Sequence, residues 1–359
     1  NRLYSFINKR IKFIMAYTTI NKSTEHFNTL AYTGTGVNPT TFTGVGFQPD
    51  FCWFKARNFA DPHQLYDSVR GVHKYVRSNE NSAEGDDDGS LQAFTSDGFT
   101  LGNSGNVNGG TNQNLVAWNW KANGAGSANT DGDISSTVSA NTTSGFSIVN
   151  WTANGSNNAT IGHGLSSTPK IVLYKKLNDV DSWYAVYTFV DGTQDYVVLN
   201  DTNAKADLAS GTYGTATSTT ISNIGFPNSS SLIAYCFADV QGYSKFGKFI
   251  GNGNADGTFV YTGFKPAFVM IKMTSEAQNW GIYDNKRVGY NEVKNVLFPN
   301  LSNAENTDLA PIDLLSNGFK MRRNASASDQ NNKSGGTYIY MAFAEAPLVG
   351  TNNVPCTAR

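Results

Sequence analysis

Charge is scarce in this sequence, and neither sign dominates. Only 15% of the 359 residues are charged and the formal net charge is −1, so no basic field exists to draw the chain to a phosphate backbone or an anionic surface. Nucleic acid is not an expected partner. Cysteine is equally sparse: Cys52 and Cys236 lie in apolar runs and Cys356 near the end, which suits small core hydrophobes better than a disulfide scaffold or a thiolate metal site. No apolar run of about 18 residues occurs, so no helix is expected to span a membrane. Helical periodicity is almost absent as well. What the chain does have is 35 Gly, 22 Phe, 17 Tyr and abundant Asn, Thr and Ser, the profile of a turn-rich β protein.

Several signals recur in a fixed order. The stretches GFQPDFCWFK at 46–55, STPKIVLYKK at 167–176 and GFKPAFVMIK at 263–272 each place a Lys six residues after a Pro: Lys55, Lys175 and Lys272. The runs between read as buried strands, with Pro at the entry where no ladder hydrogen bond is needed. Eleven residues beyond the first and third Lys come Tyr66-Asp67 and Tyr283-Asp284; the middle copy answers with Tyr187, one residue later and without the Asp. A polar segment follows, SNENSAEGDDDG at 78–89 against PNLSNAENTD at 299–308. The turns TSDGF, SNIGF and SNGF come next, where Gly is expected to supply a positive φ. Each series closes on an aromatic strand: LVAWNWK at 115–121, LIAYCFA at 232–238 and YIYMAFA at 338–344.

This order predicts an all-β chain of three tandem antiparallel β-sandwich repeats, jelly-roll-like, with a short N-terminal arm. The boundaries are an arm at 1–26, repeats at 27–122, 145–240 and 246–346, and a tail at 347–359. Residues 123–144 read as a Gly/Ser/Asn/Thr linker at which the first joint flexes. In the closing strands Trp118, Trp120, Tyr235, Phe237, Tyr340 and Phe343 are expected to share an inward face.

The series Y-T-G-x-G, G-F-x-P-D-F-x-W-x-K, L-Y-D-S-V-R-G, F-x-S-D-G-F-T-L-G, N-G-G-x-N and V-A-W-x-W-K within residues 32–121 resembles a repeated domain of unknown function found in proteins of marine bacteriophages. The middle stretch, GHGLSSTPKIVLYKK with DSWYAVY and YVVLNDTNA, is similar to a sister variant. The resemblance implies a virion structural protein, of the tail-fibre, head-fibre or other appendage kind, and it implies no reaction.

The candidate site residues are few. Asp67 with Arg70, and Asp284 with Arg287, keep one spacing and suit an ion pair or turn-capping carboxylate that holds a loop between strands or, alternatively, a ligand contact. His63, Asp67 and His73 would start a catalytic reading, yet neither His recurs in the third series, and no enzyme is expected. Glu84, Asp86 and Asp88 are the carboxylates that could collect oxygen ligands for Ca²⁺, but the run lacks the twelve-residue loop pattern, so no cofactor is expected. His163, between two glycines, reads as a turn histidine. Arg2, Lys9, Arg10 and Lys12, set among apolar residues, make the arm the expected assembly element. The expected partners are further copies of the chain, a trimer foremost, other virion proteins and a host-surface glycan, with the virion as location; a carbohydrate-binding or glycan-processing module is the alternative.

Overall fold

The computed structural model describes residues 17–209, 211–324, 330–350, 355 and 356. It is nearly all-β, in several antiparallel sheets. The described residues hold one 3-10 turn, Ser23–Glu25, and one four-residue helix, Gly105–Asn108.

Three large sheets share one strand order. In the first segment the neighbours are Phe27–Thr33, Asn114–Trp120, Phe51–Ala56 and Gln64–Asp67; in the third they are Ser244–Ile250, Thr337–Pro347, Phe264–Met273 and Trp280–Asp284. The second segment repeats the order with Phe146–Thr152, Ser231–Phe237, Ile171–Lys176 and Tyr184–Tyr187, then continues into Asp195–Val198 and Ala206–Asp207. The registers agree as well. Phe51 pairs with Trp120, Ile171 with Phe237 and Phe268 with Phe343. In all three sheets the closing strand therefore lies between the first and second strands of its segment, so its backbone groups are paired on both sides.

Both faces of the inner strands of these sheets are buried, for different reasons. One face of each contributes to a single cluster that joins all three segments, including Phe27, Trp53, Trp118 and Trp120 with Phe146, Trp183, Tyr235, Phe237, Phe268, Met341 and Phe343. Ring contacts cross every boundary: Phe51 stacks on Tyr235 at 4.2 Å, Phe237 meets Phe343 at 5.8 Å, and Phe27 stacks on Phe343 at 5.3 Å between centroids. The other face packs on a small sheet of the same segment. Thr40–Thr43, Gly98–Leu101 and Leu91–Thr95 cover the first, Thr160–Gly162 and Thr220–Ser222 the second, and Phe259–Tyr261, Gly318–Met321 and Ile312–Leu315 the third.

Four expectations change. Residues 123–144 are not a bare linker: Ser127–Asn129 and Ser136–Asn141 extend the edge of the middle sheet, and Val138 packs in its outer core. Serine and threonine there alternate with apolar residues, enough to pair at a sheet edge. Tyr340 does not join the shared face; it belongs to the outer core of the third segment, and Met341 occupies the register of Trp118 and Tyr235. Tyr187 stands opposite Ile171, the register of Asp67 and Asp284, so the middle segment has a tyrosine where the others have an aspartate. Pro266 lies inside its strand, tolerated because the ladder shifts register on both sides of it.

Among the described arm residues, Ile20 is buried in the shared core and the Tyr17 hydroxyl donates to Gly263 O at 2.8 Å. This part of the arm packs on its own chain.

Candidate functional site

The recurring residues meet at the boundaries between segments. A backbone N–H five residues beyond a recurring Asn donates across each boundary: Glu84 N to Leu177 O at 2.8 Å, Lys205 N to Thr274 O at 2.9 Å and Glu305 N to Arg57 O at 2.6 Å. The Asn residues themselves, Asn79, Asn200 and Asn300, accept the backbone N–H of His63, Trp183 and Trp280. The rings of those three residues then cross the boundary. Trp183 Nε1 donates to Arg77 O at 2.8 Å, Trp280 Nε1 to Val198 O at 3.0 Å, and His63 Nε2 lies 3.0 Å from Phe298 O. First joins second, second joins third, and third joins first, so the bonds close a ring.

His63 is held neutral within it. Trp53 Nε1–H donates to His63 Nδ1 at 2.8 Å, so the ring proton must sit on Nε2, where Phe298 O accepts it. Burial, with Lys55 and Arg287 adding to it, pushes His63 well below the usual histidine range. A buried, doubly bonded imidazole is not a free acid or base. His73 stands apart at φ 68, its backbone bonded to Leu91 and Asp87. His163 caps its own turn, Nδ1 accepting Leu165 N–H, as a turn histidine should.

Asp67 and Asp284 fasten two of the three boundaries. Asp67 Oδ2 accepts from Arg70 Nε at 2.5 Å and from the Tyr235 hydroxyl of the second segment at 2.8 Å, while Arg70 also reaches Glu84 at 3.2 Å. Asp284 Oδ2 accepts from Arg287 Nε at 2.5 Å and from Trp118 Nε1 of the first segment at 3.0 Å. Arg287 then pairs with Glu305 at 2.8 Å, which also binds Arg57 of the first segment at 3.0 Å. Burial raises the Asp284 carboxyl, but Arg287 outweighs it and holds it below the usual carboxylate range. Ligand contact is not open to these four residues: both aspartates are 0% exposed and the two arginines 3% and 1%. Their role is structural. At the remaining boundary Tyr187 stands where the others have the aspartate and Met341 where they have the donor, so this hydrogen bond is not made there.

The three lysines are fully buried, with carbonyls as hydrogen-bond acceptors. Lys175 Nζ donates to Lys176 O, Asp181 O and, across the boundary, Asn81 O; Lys272 Nζ donates to Met273 O and, across the boundary, Thr202 O; Lys55 Nζ donates to Ala56 O and Phe59 O. Burial pushes Lys55 and Lys175 down to about 8 and Lys272 to about 7. Lys55 and Lys175 pin the loops that follow their strands, whereas Lys272 ties the end of its strand to the loop at Thr202.

Glu84, Asp86 and Asp88 do not converge on a metal. Glu84 belongs to Arg70 and Asp86 to Lys74, because Gly85-Asp86 pairs in register with Lys74-Tyr75 and the chain turns away beyond it. Arg2, Lys9, Arg10 and Lys12 lie outside the described residues.

One loop pinned in this way borders a concavity of about 270 Å³ on the first segment. Phe59, 45% exposed, stands at its edge beside Asp61, Thr111, Asn112 and Gln113. Gln113 Nε2 fixes Asp61 Oδ2 at 2.8 Å, and Asn58 Nδ2 fixes Asn112 O at 2.7 Å. An aromatic face beside amides, a hydroxyl and a carboxylate suits a polyhydroxylated ligand. The N-G-G-x-N motif at 108–112 marks half of it in sequence. Phe59 and Asp61 come from a distant loop and carry no local signal.

A family match covers this whole ring, from residue 22 to residue 347. The chain belongs to the family described as Domain of unknown function (DUF7483). The match runs through all three segments and the strands of 123–144 as one domain. No curated protein and no solved structure matches the chain.

Proposed function

We propose that the chain is three copies of one antiparallel β-sandwich unit closed into a ring, and that it serves as a bacteriophage virion structural protein, an appendage of tail-fibre or head-fibre type that contacts the host surface through its loops. The observation that carries this reading is the use of the recurring positions: Lys175 and Lys272, the two Asp-Arg pairs, the rings of His63, Trp183 and Trp280, and the backbone N–H groups of Glu84, Lys205 and Glu305 all bond across the boundaries between segments. Recognition is then left to what the ring presents outward. The motif order of residues 32–121 supports the virion assignment, and the resistance to unfolding expected of a closed ring suits an extracellular particle. Assembly with further copies and with other virion proteins falls, in this reading, to the basic N-terminal arm.

The concavity beside Phe59 favours a host-surface glycan as the ligand, and makes a carbohydrate-binding or glycan-processing module the second reading. The test is to incubate the chain with polysaccharide from candidate hosts, measuring retention and new reducing ends together. Retention that Phe59→Ala and Asp61→Ala each lower at least tenfold, without new reducing ends, supports an adhesin. New reducing ends would establish the second reading. Absence of the chain from purified particles, probed with a C-terminal label, would overturn the virion assignment.

A further inference from the structure

At the boundary between second and third segments the ionic pattern of the other two is inverted. Where those have Glu84 and Glu305, this one has Lys205; where they have Arg70 and Arg287, it has Val190. Carboxylates gather around the lysine instead. Lys205 Nζ lies 2.9 Å from Asp191 Oδ2, 2.8 Å from Asp195 Oδ1 and 2.7 Å from Asp207 Oδ1. One ligand oxygen from each aspartate lies within 4.8 Å of the others, which is the widest spacing two oxygens take when each is about 2.4 Å from one Ca²⁺.

The charges do not balance. Ionised, three aspartates and one lysine sum to −2, against −1 for Asp67, Arg70 and Glu84, and zero for Asp284, Arg287, Glu305 and Arg57. Two buried oxygens also have no hydrogen-bond partner among the described residues. Asp195 is 0% exposed, yet its Oδ2 accepts no hydrogen bond; Tyr187, directly opposite it in the strand pair and 2% exposed, has a hydroxyl with no partner. Residues directly opposite in an antiparallel pair project to the same face, so the Tyr187 ring and the Asp195 carboxyl lie on one side of the sheet. An unsatisfied carboxylate oxygen in a buried position is costly unless a proton or a cation reaches it.

We propose that Asp191, Asp195 and Asp207 form a site for a hard divalent cation of the Ca²⁺ class, bound when the Lys205 ammonium swings out of the position it marks. The donors are all oxygens, as such an ion requires. Thr193 Oγ1, 3.4 Å from Asp195 Oδ1, is at hand as a further one. Lys205 can leave without unfolding the boundary, because its backbone N–H, and not its side chain, holds Thr274 O.

The test uses the full chain with Tb³⁺ as probe and Ca²⁺ as competitor, since a phenol close to bound Tb³⁺ sensitises its emission. Saturable emission that Ca²⁺ displaces is expected, together with a rise in melting temperature with Ca²⁺. Asp207→Asn, at an exposed position, should weaken binding at least tenfold without unfolding the chain, and Asp195→Asn should abolish it. Lys205→Gln should tighten binding about tenfold by removing the competing charge. Tyr187→Phe should dim the emission while keeping the Ca²⁺-induced rise. If neither the parent chain nor Lys205→Gln shows displaceable emission or a shift in melting temperature, Lys205 is simply the counter-ion and the site does not exist. Emission unchanged in Asp207→Asn and Asp195→Asn would place the metal elsewhere and equally overturn the proposal.

Discussion

Replacing Asp284 by alanine should weaken the fold more than any other single change at the ring boundaries. The side chain is fully buried and accepts four hydrogen bonds: from Trp118 Nε1 at 3.0 Å, Arg287 Nε at 2.5 Å, and the backbone N–H groups of Lys286 and Arg287 at 2.9 Å each. Its removal leaves the Arg287 guanidinium buried with Glu305 and Ile282 O and strips the Trp118 N–H of its acceptor. Breaking a buried pair from one side costs about 3–5 kcal/mol, because the surviving charge stays desolvated. An unfolding entropy of about 2.1 cal/mol/K per residue over roughly 330 residues gives about 0.7 kcal/mol/K, so the melting temperature should fall by about 4–7 °C. Guanidinium unfolding should show a lower midpoint at unchanged slope. Asp284→Ala costing less than about 1 kcal/mol would refute the reasoning. A biphasic transition in which the third segment unfolds alone would refute the shared core behind it.

Three smaller predictions follow from the same boundaries and turns. Tyr187→Phe removes a hydroxyl that has no partner and should change stability, measured by urea denaturation without added metal, by no more than about 0.5 kcal/mol in the unfavourable direction. Lys272 is held at about 7 against its ordinary 10.5, so the folded chain sheds a proton that the unfolded chain keeps between those values. Stability should therefore rise as pH climbs from about 7 to 10, at up to about 1.4 kcal/mol per pH unit per lysine, and Lys272→Met should flatten that rise in denaturation midpoints taken at several pH values. Gly318→Ala would bring a Cβ to 2.0 Å from Val260 O, whereas Gly71→Ala meets nothing within 4 Å and bears only the strain of φ +90. The first should cost at least about 2 kcal/mol and the second about 1, a gap that parallel thermal melts would resolve or deny.

Strand identity was legible because it rests on local pattern. The Pro-to-Lys runs, the Tyr66-Asp67 and Tyr283-Asp284 pairs and the aromatic closing strands all lie in strands, and Tyr66 and Tyr283 occupy the same register, opposite Cys52 and Val269. The use of the second face was not legible. Alternating aromatics announce that one face is buried, but in FCWFK and FVMIK every position is buried, and sequence does not say that the extra face is covered by other segments of the same chain. Nor does the sequence say what becomes of the Lys that ends each run: carbonyl acceptors allow Lys55, Lys175 and Lys272 to be buried. The glycine of SNGF was found for a different cause from the one expected. Gly318 is required by the nearness of Val260 O, and not by a positive φ. The concavity at Phe59 and the carboxylates around Lys205 join residues from separate strands and loops, and no spacing rule reaches them.

The shared core also decides what a single segment can do alone. Residues 27–122, expressed by themselves, would keep the outer core of Cys52, Phe54, Tyr66, Phe99 and Ala117 but would open Phe27, Phe51, Trp53, Trp118 and Trp120 to water. Five such side chains bury about 150–250 Å² each in a packed interior, so the new apolar face would approach roughly 1,000 Å², beyond the few hundred that soluble monomers tolerate. The same cut would leave Asp67 without Tyr235 and His63 without Phe298 O. A fragment of residues 22–122 should therefore aggregate or associate with itself, as seen by light scattering, where three independent tandem sandwiches would each yield a monomer. Adding residues 123–347 as a second chain should rescue it, because the boundary bonds and the aromatic faces are complementary between segments. A monomeric 22–122 fragment with a cooperative melt of its own would show that the small outer core suffices, and that the ring is an association of finished domains.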